Sequence, residues 1–486
     1  MENEIMKMKV DLWGKKGFNI FFFSFLAIII LGIGIGFTGP YHYETREIID
    51  YFDNKTVDIT LEIVGLNRLN QFLYVDIHFN NEMDIGITTD VQIAITLLGN
   101  NVDDNDLTKW TKISNSTHTR NVECKAQSNC TRHTIIYEPY LNYKNYYAKL
   151  RITNLSDKNC FGKSFSNFYF VHKRMTLYEL FFRYIFVMLN IIAMFLLVRS
   201  VVGIPYRVFT IEQKWISVLI VLLLLWNNPI WSTIILSHSG FVRFLDALFT
   251  SSFFVGIWGF WLCIIDGLRY KKEERTFKKF YLPKIIVLSI IYLTFLILYI
   301  WVQVHEIDDP EYEVANDIPG FKVTRVFLWL FYVVYLLWIV YACVRAFHDV
   351  KNTNTNNAKR FYFFFTITLT VFIFSIFVVG GNFVSKLRNT AGEFLSTFTI
   401  FNVYILLLSI AYLPSSSTLD DIKDSSHLKL EEEDVDDDDN NLLGNDDSLE
   451  DSEEKDEENS SSNADQLEMQ ERSETPSNSD SDKKSD

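Results

Sequence analysis

The chain has 486 residues, a net charge of −15 and a 16% share of Phe, Trp and Tyr. Its mean hydropathy is close to zero, because very apolar blocks alternate with very polar ones. That division excludes a single water-soluble globule, and the acidic balance does not suit a nucleic-acid partner.

Apolar stretches of about 20 residues cross a hydrocarbon core of about 30 Å. Eight occur, at Phe18–Phe37, Leu177–Val198, Trp215–Leu236, Phe244–Ile265, Ile285–Val304, Val326–Val344, Phe361–Val379 and Phe394–Leu413. They predict a multi-pass membrane protein in which both termini lie on one side. Placing that side in the cytosol gives the inner segments 18 Lys and Arg against 5 in the short outer loops, as the positive-inside rule requires. Seven of the 18 form the cluster Arg269–Lys284, read as a flank with anionic lipids as its livelier contact. The expected divisions are a cytosolic N-terminus (1–17), an anchor helix (18–37), a luminal or extracellular β-sandwich (38–176), a seven-helix bundle (177–413) and an acidic cytosolic tail (414–486). The first run is longer than a signal-peptide core and ends in Gly32-Ile-Gly-Ile-Gly36 rather than Ala-x-Ala, so it reads as a retained anchor.

The outer segment reads as β structure. Val57–Ile63 alternates apolar and polar residues strictly, as a strand with one buried face does. Leu73–Phe79 and Val91–Leu97 follow, with weaker strands at His133–Tyr137, Tyr147–Thr153 and Phe168–His172. Six short strands in this length suggest a sandwich with its own core. Four glycosylation sequons, at Asn54, Asn115, Asn129 and Asn154, fall here and none in the short loops, consistent with a luminal location. So do Cys124, Cys130 and Cys160, which allow one disulfide by any of three pairings, Cys124–Cys130 being the shortest. The bland reading, a folded module that binds protein, is preferred.

Polar side chains inside the spans are the default functional candidates, since each needs a partner or water. Glu179 and Arg183 are four apart, a spacing that permits pairing. The stretch LLLLWNNPIW places Asn227, Asn228 and Pro229 inside a span, where proline predicts a kink and the amides are expected to line the resulting gap. Asn402 falls at similar depth in the last span, and Asp246 just inside the luminal end of its own. Together these seven residues suggest a cavity open toward the lumen that takes an amphiphile or a lipid-modified segment. Ordinary bonding across helix interfaces is the competing reading for each one singly. No catalytic or metal constellation is visible: all nine histidines lie outside the apolar runs, and no cofactor is implied.

The tail holds 27 acidic and 6 basic residues, a composition that cannot bury enough surface to fold. Within it Asp438, Leu442 and Leu443 match the acidic dileucine pattern that clathrin-adaptor-type sorting machinery reads from an extended peptide. Ser448 and Ser452, each followed by acidic residues, suit phosphorylation that adds charge.

The sequence resembles the transmembrane protein 181 family. The resemblance rests on Gly36-Phe-Thr-Gly-Pro40, Asn228-Pro229, Phe244-Leu-Asp-Ala-Leu-Phe249, Phe260-Trp-Leu-Cys-Ile264 with Gly267-Leu-Arg269, Phe280-Tyr-Leu-Pro-Lys284, Glu306 with Asp309-Pro310, Glu393-Phe-Leu-Ser396, Asn402-Val-Tyr404 and Tyr412-Leu-Pro-Ser415. That family's membrane domain is similar to Wntless, the carrier of lipidated Wnt. The resemblance implies an anchor helix, a sandwich of the Golgi-dynamics type, a receptor-shaped bundle, and a cavity for a lipid-bearing segment of a secreted protein; toxin binding is associated with the family as well. The expected role is a trafficking or cargo receptor of the plasma membrane or of Golgi–endosomal membranes. A G-protein-coupled-type receptor and a lipid or solute transporter are the alternatives. Asp266-Gly-Leu-Arg269-Tyr270 stands where rhodopsin-like receptors carry Asp-Arg-Tyr, with the wrong spacing.

Overall fold

A computed structural model describes residues 7–415 except 42, 52–56, 82–83, 102–109, 154–160, 203, 205–208, 238, 268–274, 312–318, 351–354 and 381–390. Asn54, Asn154, Cys160 and the tail with Asp438, Leu442 and Leu443 lie outside the described residues.

Eight strands form two four-stranded antiparallel sheets. They are β1 (Tyr43–Tyr51), β2 (Val57–Val64), β3 (Leu73–Asn81), β4 (Ile87–Asn100), β5 (Thr111–Cys124), β6 (His133–Glu138), β7 (Asn145–Thr153) and β8 (Phe161–Val171). One sheet runs β1-β8-β3-β6 and the other β2-β7-β4-β5. The alternating residues of β2, β3, β4 and β7 point inward: Ile59, Leu61, Val75, Ile77, Val91, Ile93, Leu150 and Ile152 are all buried in one apolar core. Cys124 and Cys130 are joined by a disulfide at the end of β5.

Among the described residues, eight helical spans are long and apolar enough to cross a membrane. After a short helix α1 (Lys9–Leu12) these are α2 (Lys15–Phe37), α3 (Lys173–Val201), the pair α4 (Ile211–Asn227) and α5 (Trp231–Leu236), α6 (Gly240–Gly267), α7 (Leu282–Asp308), α8 (Pro319–Val350), α9 (Thr355–Gly380) and α10 (Ala391–Ala411). A π-turn at Phe277–Tyr281 leads into α7. Helix α10 is buried along most of its length, packed against α2, α3, α4 and α9, while α7 and α8 pack on α6. Helix α2 belongs to this packing. A Cβ on Gly32 would stand 2.6 Å from Thr399 Cγ2, and one on Gly36 2.8 Å from Gly392 Cα. The small residues four apart thus let the α2 and α10 backbones meet, whereas Gly34, on the other face, has nothing nearby.

On the side of the bundle away from the sandwich, the N-terminal stretch pairs with the chain leaving α10. Lys9 N donates to Leu413 O at 3.0 Å and Ser415 N to Lys7 O at 3.0 Å. The first and last described residues therefore share one side. Two buried ion pairs close this end. Arg360 Nε donates to Asp11 Oδ1 at 2.7 Å, with side chains 6% and 3% exposed. Lys284 Nζ meets Asp266 Oδ2 at 2.7 Å and lies over the Phe280 ring. Lys284, read in the sequence as one of the flanking loop cations, is thus a buried partner of α6.

Candidate functional site

The stretch LLLLWNNPIW does not form a kinked helix. Helix α4 stops at Asn227, and Asn228 follows with φ 52°, the left-handed conformation that asparagine tolerates after a helix end. Pro229, which cannot continue a helix, comes next. The chain resumes in α5 after one turn. Asn227 Nδ2 donates to Asn402 Oδ1 at 2.7 Å, and Asn402 Nδ2 returns a bond to Asn227 Oδ1 at 2.9 Å. Both residues are fully buried. Below them Trp226 stacks between Phe253 and Phe398, with ring centroids at 4.6 and 4.3 Å. The gap expected at the proline is filled at this level by an amide pair and aromatic packing. Pro229 itself is exposed.

Asn228 reaches instead toward the sandwich side: its Nδ2 donates to Asp246 Oδ1 at 2.6 Å. Asp246 lines a cavity of about 270 Å³ between the sandwich and the bundle. The sandwich supplies Arg68, Gln71 and Phe72 and the segment Tyr137 to Leu141; the bundle supplies Trp231, Ile234 and Ile235 of α5, Arg243 and Asp246 of α6, and Tyr299 and Gln303 of α7. Of the seven cavity candidates read from the sequence, Asp246 alone lies on this wall.

Three local features shape the wall. A 3₁₀ turn at Arg68–Asn70 docks on the start of α3, where Thr176 Oγ1 donates to Leu69 O at 2.6 Å. Gln71 then takes φ 60°, ψ −57°, and Phe72 N donates to Asn70 O at 2.7 Å. This is the rare, strained form of the γ-turn. Backbone strain of this kind persists where the surroundings over-determine it, and it concentrates at ligand sites. Gln71 Nε2 donates to Glu179 Oε2 at 3.3 Å. The pairing that the spacing of Glu179 and Arg183 permits is not made. Arg183 lies among aromatic rings, 4.9 Å from the Trp231 centroid and 4.6 Å from that of Phe398.

On the opposite wall Arg243, counted in the sequence as an outer-loop cation, stacks 4.4 Å over Tyr140. It donates to Pro139 O and to Tyr137 Oη at 3.3 Å. Burial pushes the Tyr137 hydroxyl up, against the pull of Arg243. Neighbouring Glu138 is pushed up to about 7 by burial, although Tyr140 N donates to it.

Beside the cavity, the chain after α7 is tied to the sandwich. Arg120 donates to both oxygens of Asp309 and lies 3.2 Å from Glu311. Glu311 also accepts from Thr134 N at 2.6 Å and meets His133 Nδ1 at 3.2 Å. Tyr74 Oη donates to Glu306 at 3.1 Å. Burial opposes the charge on Asp309, but Arg120 holds its carboxyl below the ordinary range. This latch went unread in the sequence. Glu306 and Asp309-Pro310 stood among the motif residues, but no spacing pointed to Arg120, which lies 189 positions from Asp309. The described sequons, Asn115 and Asn129, are both exposed.

Residues 172–416 match the family described as Wntless-like, transmembrane domain. The chain belongs to this family. It is also similar to Transmembrane protein 181 of Homo sapiens, at 28% identity over 456 residues, covering 88% of this chain and 93% of that protein. It is therefore a multi-pass membrane protein of the Wntless-like kind, with a strand-rich domain ahead of the family's helices. The matched region contains α3 to α10, so the bundle half of the cavity wall lies within it and the sandwich half lies outside.

Proposed function

We propose that the protein is a non-enzymatic receptor of the trafficking type. Its sandwich faces the lumen or cell exterior and recognises a protein ligand, and the junction cavity accepts a group carried by that ligand or by the membrane. The observation that carries the reading is the composition of the cavity wall, built partly from sandwich and partly from membrane helices. Ligand bound there touches both parts at once, which is how occupancy outside the membrane can alter the bundle. The charge bias of the loops, the sequons and the shared side of the two ends support the orientation. The tail then lies in the cytosol, where Asp438, Leu442 and Leu443 are available to adaptors.

The test is export. Cells lacking the chain are compared with cells rescued by wild type or by Tyr140→Ala/Trp231→Ala, which empties two walls of the cavity. A defined set of secreted or surface proteins falls without the chain, returns with wild type, and stays low with the variant at equal receptor abundance. An unchanged secretome, with heterotrimeric G proteins dominating proximity labelling, overturns the proposal in favour of a signalling receptor. Leu442→Ala with Leu443→Ala raises the surface fraction; an unaltered distribution removes the sorting role.

A further inference from the structure

The junction cavity holds charges of both signs that do not neutralise one another. Asp246 receives one hydrogen bond, from Asn228 at 2.6 Å, and makes no ion pair among the described residues. Arg68 sits on an exposed turn, with one long bond of 3.4 Å to Leu236 O. Most of its donors are therefore free. Arg243 directs one donor to Tyr137 and one to Pro139 and is held flat on Tyr140. The Tyr299 hydroxyl on the same wall has no partner among the described residues. Asp246, half-buried beside aromatic and aliphatic walls, is the charge that burial makes costly, while Arg68, exposed at the rim, offers free donors to an anion. A dipolar guest meets both.

The surroundings say where such a guest comes from. Helix α5 places Ile234 and Ile235 on the wall, while Ile230 and Leu236, on either side of them, are exposed. An apolar surface therefore continues from the cavity rim to the outside of the bundle, at the end of the spans nearest the sandwich. About 270 Å³ accommodates roughly nine waters at ~30 Å³ each, enough for a polar head group but too little for acyl chains.

We propose that the cavity binds the head group of a zwitterionic phospholipid, its ammonium against Asp246 and its phosphate against Arg68, with the acyl chains lying along α5. Aromatic walls suit the ammonium and a guanidinium fork suits the phosphate. This rests on the reading of the junction as a ligand site. It adds that the membrane itself supplies an occupant, which a cargo segment then displaces or joins.

The full chain is placed in phosphatidylglycerol nanodiscs and titrated with dihexanoylphosphatidylcholine below its micellar concentration, followed by saturation-transfer NMR. Dihexanoylphosphatidylglycerol, with the same chains and no ammonium, is the comparison. Binding about tenfold tighter for the choline lipid is expected. Asp246→Asn and Arg68→Gln are each expected to weaken it about tenfold, the effect of one charge-assisted hydrogen bond. Arg68 is exposed, so Arg68→Gln decides the matter even where Asp246→Asn does not fold. Equal binding of the two lipids, or no loss in Arg68→Gln, overturns the proposal. Glycerophosphocholine binding as tightly as the short-chain lipid would overturn the lipid source and leave a free head group as guest. Failure here with cargo export still dependent on Tyr140 and Trp231 refutes the lipid and not the receptor.

Discussion

The closed end of the bundle and the wall of the junction cavity treat charge in opposite ways. Away from the sandwich, Asp11 meets Arg360 and Asp266 meets Lys284 in buried pairs. On the cavity wall, Asp246 and Arg68 make no ion pairs among the described residues, and Arg243 bonds neutral oxygens. A buried charge with a partner is explained by the fold. A charge on a cavity wall without one asks for a ligand. The difference therefore separates residues that hold the bundle together from residues available to a guest, and each end can be tested by removing one partner.

The largest effect is expected at the closed end. Arg360→Met leaves Asp11 buried and unpaired, which costs about 3–5 kcal/mol, whereas Asp11→Leu with Arg360→Met recovers most of the loss. Thermal unfolding of the purified chain measures both. A single variant as stable as wild type would show that the strap from Lys7 to Trp13 contributes little. The latch ranks next. Arg120→Ala strips Asp309 and Glu311 of their shared cation at a partly exposed site, at a cost of about 2 kcal/mol. Hydrogen exchange should rise in the segment around Glu311 and in β6 while the core strands β4 and β7 stay protected. Uniform loss of protection would make Arg120 a general stabiliser of the sandwich.

Where sequence and structure agree, the cause is periodicity. Apolar runs of bilayer length gave all eight spans, and strict alternation gave the strands that line the sandwich core. Strands β1 and β5 were missed, and both are edges. The polar run Ser114–Thr119 in β5 is not buried at any position, so no two-residue pattern is imposed on it. Long-range partners account for the rest. The spacing of Glu179 and Arg183 permits a local pair, but Gln71 takes the carboxylate and the Trp231 and Phe398 rings take the guanidinium. Proline predicts a kink because its lost donor is visible in sequence. The left-handed turn at Asn228, which makes the interruption a full break, depends on the bond from Asn228 to Asp246 on a different helix.

A milder effect belongs to the open end. Glu138 sits at about 7 in the folded chain against 4.5 when free, so the folded state holds its proton more tightly. The stability this contributes is fully present below about 4.5 and is lost as pH rises through about 7. Acidifying from pH 8 to pH 5 should therefore slow exchange in the wall segment from Tyr137 to Leu141. Glu138→Gln should abolish that dependence, and a wild-type wall indifferent to pH would remove Glu138 from the account.

The smallest effect should come from the amide pair inside the bundle. Asn227 and Asn402 satisfy each other across α4 and α10, and such bonds between membrane helices average only about 0.6 kcal/mol of coupling. Asn402→Leu alone leaves the Asn227 amide buried without its partner and should destabilise more than Asn227→Leu with Asn402→Leu, which removes both polar groups. If the pair is packing, the double variant unfolds close to wild type and exports cargo normally, whereas changes at Tyr140 and Trp231 do not. A double variant that folds and fails to export would return the amides to the binding machinery, and would mean that a guest reaches past Trp226 into the centre of the bundle.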